Sequence, residues 1–186
     1  MRIIAGKYRG RRLKSPPSSE TRPTSDRLRE TLFNVLAPYI EGARFLDLCA
    51  GTGAVGAEAL SRGASHVTFV DQSRKMCSLI EANLAPLQIE RDRFQVVTAE
   101  AFDFLRRYAK RGGPLFDVLF YDPPYAGDYE VVLSFVGAHA NQILDHRAIV
   151  IVERHKKNVL AESFELLTRY RELKQGDSVL SFYQVR

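Results

Sequence analysis

Short apolar runs alternate along this chain with segments in which apolar residues recur every three or four positions. Five runs have the length of strands and lie at positions 45–48, 67–70, 94–97, 118–121 and 148–152. One of the intervening helical faces holds Met76, Leu79, Ile80 and Asn83. Largely apolar strands that alternate with helices are typical of a parallel sheet covered on both faces. The pattern therefore predicts an α/β fold.

The two ends of the chain follow other patterns. Positions 164–173 and 178–185, joined by a glycine-containing turn, predict two antiparallel strands. Positions 2–5 and 11–13 predict a short hairpin. Thr24 then has the side chain of an N-cap, which predicts the start of the first helix. We expect residues 1–20 to form a small extension and residues 21–186 to form a single globular domain.

The most specific chemical signal follows the fourth apolar run, where Asp122, Pro123, Pro124 and Tyr125 stand together. Proline cannot continue the hydrogen bonds of a strand, and the residue before a proline is kept out of the helical region. The chain must therefore leave its sheet in an extended turn. A planar amino group on a nucleobase needs two coplanar acceptors and a flat surface for stacking. Asp122, the Pro123 carbonyl and Tyr125 can supply all three.

A second signal follows the first run, where positions 47–56 read DLCAGTGAVG. Gly51 and Gly53 allow a tight turn close to a ligand, and Gly56 allows the next helix to pack on the sheet. This spacing alone also fits a dinucleotide site. Asp47 places a negative charge just before the turn, which disfavours a pyrophosphate and suits an ammonium and a sulfonium. The charge therefore favours S-adenosylmethionine over a nicotinamide dinucleotide.

Two further acids follow the second and third runs. Asp71 can accept hydrogen bonds from ribose hydroxyls, and Glu100 with the Ala101 amide could read an adenine edge. Each acid also has an ordinary alternative, since Asp71 could cap a helix and Glu100 could complement a helix dipole. Ligands of open α/β sheets bind at the carboxyl ends of the strands. Because Asp71, Glu100 and Asp122 all follow strands, we predict one shared site.

The net charge of +5 is concentrated near the N-terminus. Residues 1–36 hold nine Lys or Arg and three acids, so this part carries +6 and the remainder carries −1. Such an extension commonly binds phosphates, although a solvated tail is the ordinary alternative. The cations predicted to bind phosphates are Arg2, Lys7, Arg9, Arg11, Arg12 and Lys14, together with Arg154 and Lys156 after the fifth strand.

Composition disfavours several classes of protein. Cys49 and Cys77 are the two cysteines of the chain, which favours a reduced cytoplasmic protein over a disulfide scaffold. The four histidines do not have the spacing of metal ligands, so we expect no metal. No apolar run approaches the roughly 18 residues of a membrane span, and the N-terminus lacks the apolar centre of a signal peptide.

Together these residues resemble a known family. The turn from Asp47 to Gly53, combined with positions 122–125, is similar to class I S-adenosylmethionine-dependent methyltransferases that modify exocyclic amines. The segments MRIIAGKYRGRRL at 1–13 and TRPTSDRLRETLF at 21–33 are similar to the RsmD family, bacterial methyltransferases of guanine N2 in small-subunit ribosomal RNA. The resemblance spans essentially the whole chain, and its N-terminal segments are more specific than the glycine turn.

The resemblance implies a Rossmann-like class I methyltransferase fold, with a seven-stranded, mostly parallel sheet, an antiparallel last strand and helices on both faces. The implied catalytic residues are Asp122, Pro123, Pro124 and Tyr125. The implied cofactor-binding residues are Asp47, Cys49, Ala50, Gly51, Thr52, Gly53, Asp71, Glu100, Ala101 and Asp122. Family members often carry Asp in place of Glu100. Thr24 and Arg27 have two possible roles: they approach the methionine carboxylate of the cofactor, or they simply start a helix. The implied partner is 16S ribosomal RNA in an assembling subunit. Because no strongly apolar surface helix stands out in the sequence, we expect a monomer.

Three rival functions remain open. An adenine-N6 methyltransferase on DNA or RNA would use the same 122–125 segment, but the chain leaves no room for a separate base-recognition domain. A nicotinamide-dependent oxidoreductase would leave that segment unexplained. A non-catalytic RNA-binding module would keep the fold and bind neither S-adenosylhomocysteine nor NAD.

Overall fold

The computed structural model describes residues 1–15, 25–124 and 129–186. Its helices are α1 (Asp26–Leu36), α2 (Ala54–Ser61), α3 (Arg74–Leu84), α4 (Ala101–Arg111), α5 (Tyr129–Ala138) and α6 (Ala140–Ile143). Its strands are β1 (Arg44–Leu48), β2 (His66–Asp71), β3 (Phe94–Thr98), β4 (Phe116–Tyr121), β5 (Leu144–His155), β6 (Ser163–Phe164), β7 (Leu167–Gln175) and β8 (Ser178–Val185). Among the described helices, none is long and apolar enough to cross a membrane.

Within these described residues, the strands form one sheet in the order β3-β2-β1-β4-β5-β8-β7-β6. Strands β1 to β5 are parallel, and β8 runs antiparallel to both β5 and β7. The predicted α/β sheet with an antiparallel last strand is therefore confirmed. The sheet has eight strands where seven were expected, because the chain turns back at Glu165 (φ 52°) and pairs β6 with the start of β7.

Side chains of the central strands alternate between two layers. Phe45 and Phe120 belong to the apolar layer of α1, α2 and α3, whereas Leu46 and Leu119 belong to that of α4, α5 and α6. Successive residues of a strand point to opposite faces, so each layer receives every second side chain. Helices therefore cover both faces, as predicted.

Helix α1 begins one residue later than predicted. Ser25 is its N-cap, and the Ser25 Oγ accepts a hydrogen bond from the Leu28 amide at 3.1 Å. The prediction of Thr24 as the cap was wrong, because two neighbouring hydroxyl side chains satisfy the same preference. Thr24 itself lies outside the described residues.

Helix α2 approaches β2 closely at Gly56. A Cβ atom added there would lie 2.2 Å from Cε1 of Phe69, whose ring is fully buried. Replacing Gly56 with alanine is therefore expected to lower the free energy of unfolding by roughly 1–3 kcal/mol, because the ring or the helix must move. Thermal unfolding measures this effect, with Ser78→Ala on the exposed side of α3 as the control. An unchanged melting temperature for Gly56→Ala would contradict the close contact.

Candidate functional site

Parallel pairing places the carboxyl ends of four strands along one edge of the sheet. Leu48, the last residue of β1, pairs with Val70 in β2 and with Tyr121 in β4. Strand β2 in turn pairs Asp71 with Thr98, the last residue of β3. The segments that follow these strands therefore start side by side, as the sequence predicted.

The glycine-rich turn (residues 49–53) connects β1 to α2 through three residues with positive φ, namely Cys49 (61°), Gly51 (55°) and Gly53 (75°). The Gly53 amide donates to the Ala50 carbonyl at 2.8 Å, and Gly53 is the N-cap of α2. A Cβ added at Gly51 would meet, among the described atoms, the Cys49 carbonyl oxygen at 4.0 Å. The Cβ side of Gly51 is thus open. The left-handed conformation of Cys49 was not predicted, since side chains other than glycine rarely adopt it.

Asp47 is buried at the end of β1, with 1% of the residue exposed. Its Oδ2 accepts a hydrogen bond from the Gly56 amide in the first turn of α2 at 2.9 Å. Burial raises the pKa of Asp47 to about 7; the hydrogen bond from Gly56 opposes this rise, and the negative charge of Asp71 adds to it. A buried carboxylate in this situation is stabilised by a positively charged ligand.

Asp71 braces the glycine-rich turn from the end of β2. Its Oδ2 accepts the Gly51 amide at 2.8 Å, and its Oδ1 accepts the Ser73 amide at 2.8 Å. The N-cap of α3 is Ser73. The alternative role of Asp71 as a helix cap is therefore not observed. Each carboxylate oxygen has two acceptor sites, so ribose hydroxyls can still bind here. The register of β1 and β2 could have predicted this brace, because Asp71 follows the partner of Leu48.

Glu100 is the N-cap of α4. Its Oε2 accepts the Asp103 amide at 3.0 Å, and the helix begins at the buried Ala101. Glu100 therefore has the ordinary role described above, that of an acid at a helix N-terminus. The side chain is exposed and has a second oxygen, so capping and contact with a ligand are compatible.

The thiol of Cys49 lies close to several carboxylates of this edge. Burial raises the pKa of this thiol to about 12. The negative charges that add to the increase are those of Asp71, Asp122, Asp47 and Glu100. The described part of the site therefore concentrates negative charge, which suits a cationic ligand and keeps the thiol protonated.

The proline segment comprises residues 122–125, and its described part, Asp122 to Pro124, follows β4 directly beside the glycine-rich turn. The Asp122 amide donates to the Leu48 carbonyl at 3.4 Å, which holds the start of the segment next to β1. Asp122 is half-buried, Pro123 is buried and Pro124 is exposed. Tyr125 lies outside the described residues, so its predicted stacking role stays a prediction.

The basic N-terminal segment (residues 1–15) forms the predicted hairpin, closed by a β-bridge between Arg2 and Arg12. Glu58, whose side chain is fully buried in α2, accepts the amides of Ile4 at 2.7 Å and Ala5 at 3.0 Å. These contacts fix the segment against the domain. Glu58 was not predicted from the sequence, although its signal was a single acid in an otherwise apolar and small-residue helix.

The cations of the basic N-terminal segment are exposed to solvent. They are Arg2, Lys7, Arg9, Arg11, Arg12 and Lys14. Arg2 also lies 3.7 Å from Asp26 in a solvent-exposed ion pair. Arg27, in the first turn of α1, is exposed as well. The predicted division of the chain at residue 20 falls outside the described residues and stays a prediction.

Arg154 does not belong to this exposed set, because it is 6% exposed. Its guanidinium donates to Glu172 Oε1 at 2.6 Å, to Ser181 Oγ at 3.1 Å and to the Asn158 carbonyl. This buried ion pair gives Arg154 a structural role and corrects its selection from the sequence as a phosphate contact. Lys156 is exposed, and its Nζ lies 2.9 Å from the Asp177 Oδ1.

The fold is that of class I methyltransferases. SMU.776, described as a methyltransferase and solved in complex with SAH, has a TM-score of 0.68 and 18% identity, and the match covers 84% of this chain and 49% of that chain. At this identity the likeness shows the fold alone. The solved structure of yhhF from Escherichia coli matches with a TM-score of 0.86 and 36% identity, covering 100% of this chain and 98% of that chain.

Sequence comparison defines the group more narrowly. The family described as "Conserved hypothetical protein 95" matches residues 1–184. The "Ribosomal RNA small subunit methyltransferase D" of Escherichia coli K12 is 39% identical over 185 residues, which cover 99% of this chain and 89% of that protein. The chain belongs to this family, as the N-terminal segments predicted.

Proposed function

We propose that this protein is an S-adenosylmethionine-dependent methyltransferase that modifies N2 of a guanine in 16S ribosomal RNA. The observation that carries the proposal is the proline segment, which starts at Asp122 beside the negatively charged edge that contains Asp47 and Asp71. The name of the Escherichia coli relative supports the substrate class. We further propose that the protein acts as a cytoplasmic monomer on an assembling small subunit.

The residues of the edge fit S-adenosylmethionine. Asp47 would face its positive charge, Asp71 would accept its ribose hydroxyls, and Glu100 with the Ala101 amide would contact its adenine. The open Cβ side of Gly51 would allow the cofactor to approach the turn closely. When bound, this cofactor supplies a methyl group that its sulfonium makes electrophilic. The same negative charges disfavour the pyrophosphate of NAD, which argues against the oxidoreductase alternative.

The proline segment would hold and polarise the amino group. The lone pair of the guanine amino nitrogen is delocalised into the ring, which makes it a poor nucleophile. Hydrogen bonds from its two hydrogens to the Asp122 carboxylate and the Pro123 carbonyl would favour a tetrahedral nitrogen and stabilise its developing positive charge. Stacking on Tyr125 would contribute roughly 1–3 kcal/mol. Alignment of the two reactants can lower the barrier by roughly 7–11 kcal/mol.

The exposed cations of the basic N-terminal segment would bind the RNA backbone. Replacing Arg9 and Arg11 with glutamine is expected to weaken RNA binding and to reduce its salt slope by roughly 0.7–0.9 for each phosphate that is no longer neutralised. The matched control replaces Lys110 and Arg111, two exposed cations at the end of α4, and should change neither quantity. Deleting the segment is a poorer test, because it would leave the buried carboxylate of Glu58 without the amides that it binds. Equal salt slopes for both double variants would refute this RNA surface.

Methyl transfer from labelled S-adenosylmethionine tests the function directly. The substrates are ribosomal RNA and small subunits from a strain that lacks this gene. After the reaction, nucleoside analysis identifies the labelled product. N2-methylguanosine is the expected product, and the preferred substrate shows whether the enzyme acts on an assembling subunit. Labelled N6-methyladenosine would favour the adenine alternative. Cofactor binding without labelled RNA would mean that the proposed substrate is wrong, and binding of neither S-adenosylhomocysteine nor NAD would favour the non-catalytic module.

A further inference from the structure

Asn83, on the buried face of α3, joins two segments that serve different parts of the proposed site. It is 4% exposed. Its Oδ1 accepts the Lys14 amide at 2.7 Å, and its Nδ2 donates to the Lys14 carbonyl at 3.2 Å and to the Thr52 carbonyl at 3.0 Å. One side-chain amide therefore binds the basic N-terminal segment at two points and the glycine-rich turn at a third.

The same turn is held from its other side by Asp71, whose Oδ2 accepts the Gly51 amide at 2.8 Å. A continuous series of hydrogen bonds thus runs from the carboxylate proposed for ribose, through the turn and Asn83, to Lys14. Because the buried Asn83 side chain binds both segments, a shift of either segment would break hydrogen bonds that the side chain makes in the folded protein. The positions of the two segments are therefore mutually dependent.

We propose that Asn83 is a positioning residue that couples cofactor binding at the glycine-rich turn to RNA binding by the basic N-terminal segment. A turn fixed by bound cofactor holds Asn83 in place, and Asn83 holds Lys14 in its docked position. By thermodynamic reciprocity, RNA bound to the segment then raises the affinity of the turn for the cofactor. This inference rests on the proposed function, because it takes residues 1–15 as an RNA-binding surface.

Two variants separate coupling from simple docking. Asn83→Asp keeps the shape of the side chain and the oxygen that accepts the Lys14 amide, but it replaces the Nδ2 donor with an oxygen that faces two carbonyls. Ser61→Ala is the matched control. The Ser61 Oγ accepts the Tyr8 amide at 2.9 Å and donates to the Ala5 carbonyl at 2.5 Å. Its removal weakens docking of the same segment without altering a hydrogen bond to the turn.

Hydrogen exchange of residues 1–15, with and without S-adenosylhomocysteine and in the absence of RNA, tests the structural link. Saturating S-adenosylhomocysteine should slow exchange of the Lys14 amide roughly fivefold or more in the wild type. Ser61→Ala should exchange faster at baseline but show the same fold-change, whereas Asn83→Asp should show none. An unchanged rate in the wild type overturns the proposal, and this comparison stands even if Asn83→Asp fails to fold. A full response in Asn83→Asp also overturns it.

RNA affinity tests the functional consequence. With a fragment of small-subunit ribosomal RNA, S-adenosylhomocysteine should raise affinity roughly fivefold or more in the wild type and in Ser61→Ala, and not in Asn83→Asp. Equal wild-type affinity with and without S-adenosylhomocysteine overturns the coupling. A wild-type protein that binds no RNA overturns the proposed function instead, while the exchange experiment still decides whether Asn83 links Lys14 to the cofactor turn.

Discussion

Replacing Asp122 with alanine is expected to lower the rate of methyl transfer by roughly 10²–10³-fold or more, because the developing positive charge on the amino nitrogen loses a preorganised partner. The affinity for S-adenosylhomocysteine should change little, since Asp47 and Asp71 remain in place around the glycine-rich turn. Single-turnover methyl transfer measures the first quantity, and calorimetric titration measures the second. The loss should therefore fall on the chemical step.

Two further variants make this result specific to the position and charge of the carboxylate. Asp122→Asn retains an oxygen acceptor but not the negative charge, so its rate should fall between those of the wild type and Asp122→Ala. Asp92→Ala removes an exposed carboxylate just before β3, at the opposite edge of the sheet, and should leave the rate unchanged. Turnover of Asp122→Ala at the wild-type rate would disprove the proposed role of Asp122.

The convergence of acids at one edge could be predicted because parallel strands impose it. Leu48 in β1 pairs with Val70 in β2 and with Tyr121 in β4. Once these strands are parallel and in this register, the next residues of the three strands, Cys49, Asp71 and Asp122, must lie side by side. This inference needs only the apolar runs and the rule that parallel strands share a carboxyl edge. Side-chain contacts within the edge were harder to predict, because the brace from Asp71 to Gly51 depends on the exact register.

Contacts between segments distant in the chain were not predicted. The sequence placed Asn83 on a buried face but offered no sign that its amide binds Lys14 and Thr52, which lie 69 and 31 positions away. Arg154 adjoins other cations in the sequence, which predicts an exposed side chain, whereas in the structure it is buried and binds Glu172 and Ser181. The periodic pattern of apolar residues does not indicate which polar residues are buried. Their burial depends on hydrogen-bond partners that are distant in the sequence and come close only in the folded protein.

Replacing Asp47 with asparagine is expected to weaken S-adenosylmethionine binding at pH 8 by roughly 10–100-fold, because the positive charge of the cofactor then lacks a nearby negative charge. The difference from the wild type should shrink as the pH falls. Burial, opposed by the Gly56 hydrogen bond and reinforced by Asp71, places the pKa of Asp47 at about 7, so the wild-type carboxyl group is largely protonated at pH 6. Titrations between pH 6 and 8 should show a rising wild-type affinity and a nearly flat response for Asp47→Asn.

The same substitution should stabilise the cofactor-free protein. Because the folded-state pKa of about 7 lies above the ordinary value of 3.8, the contribution of Asp47 to stability is full below about pH 4 and is lost as the pH rises to 7. Asparagine avoids that loss, so Asp47→Asn should gain up to about 4 kcal/mol at pH 8 and nothing at pH 4. Asp117→Asn is the matched control, since the Asp117 Oδ2 also accepts a backbone amide, that of Arg44 at 2.7 Å, at the opposite edge of the sheet. Denaturant unfolding at the two pH values measures the effect. Equal stability of the wild type and Asp47→Asn at pH 8 would show that the ionised Asp47 carboxylate does not destabilise the cofactor-free protein.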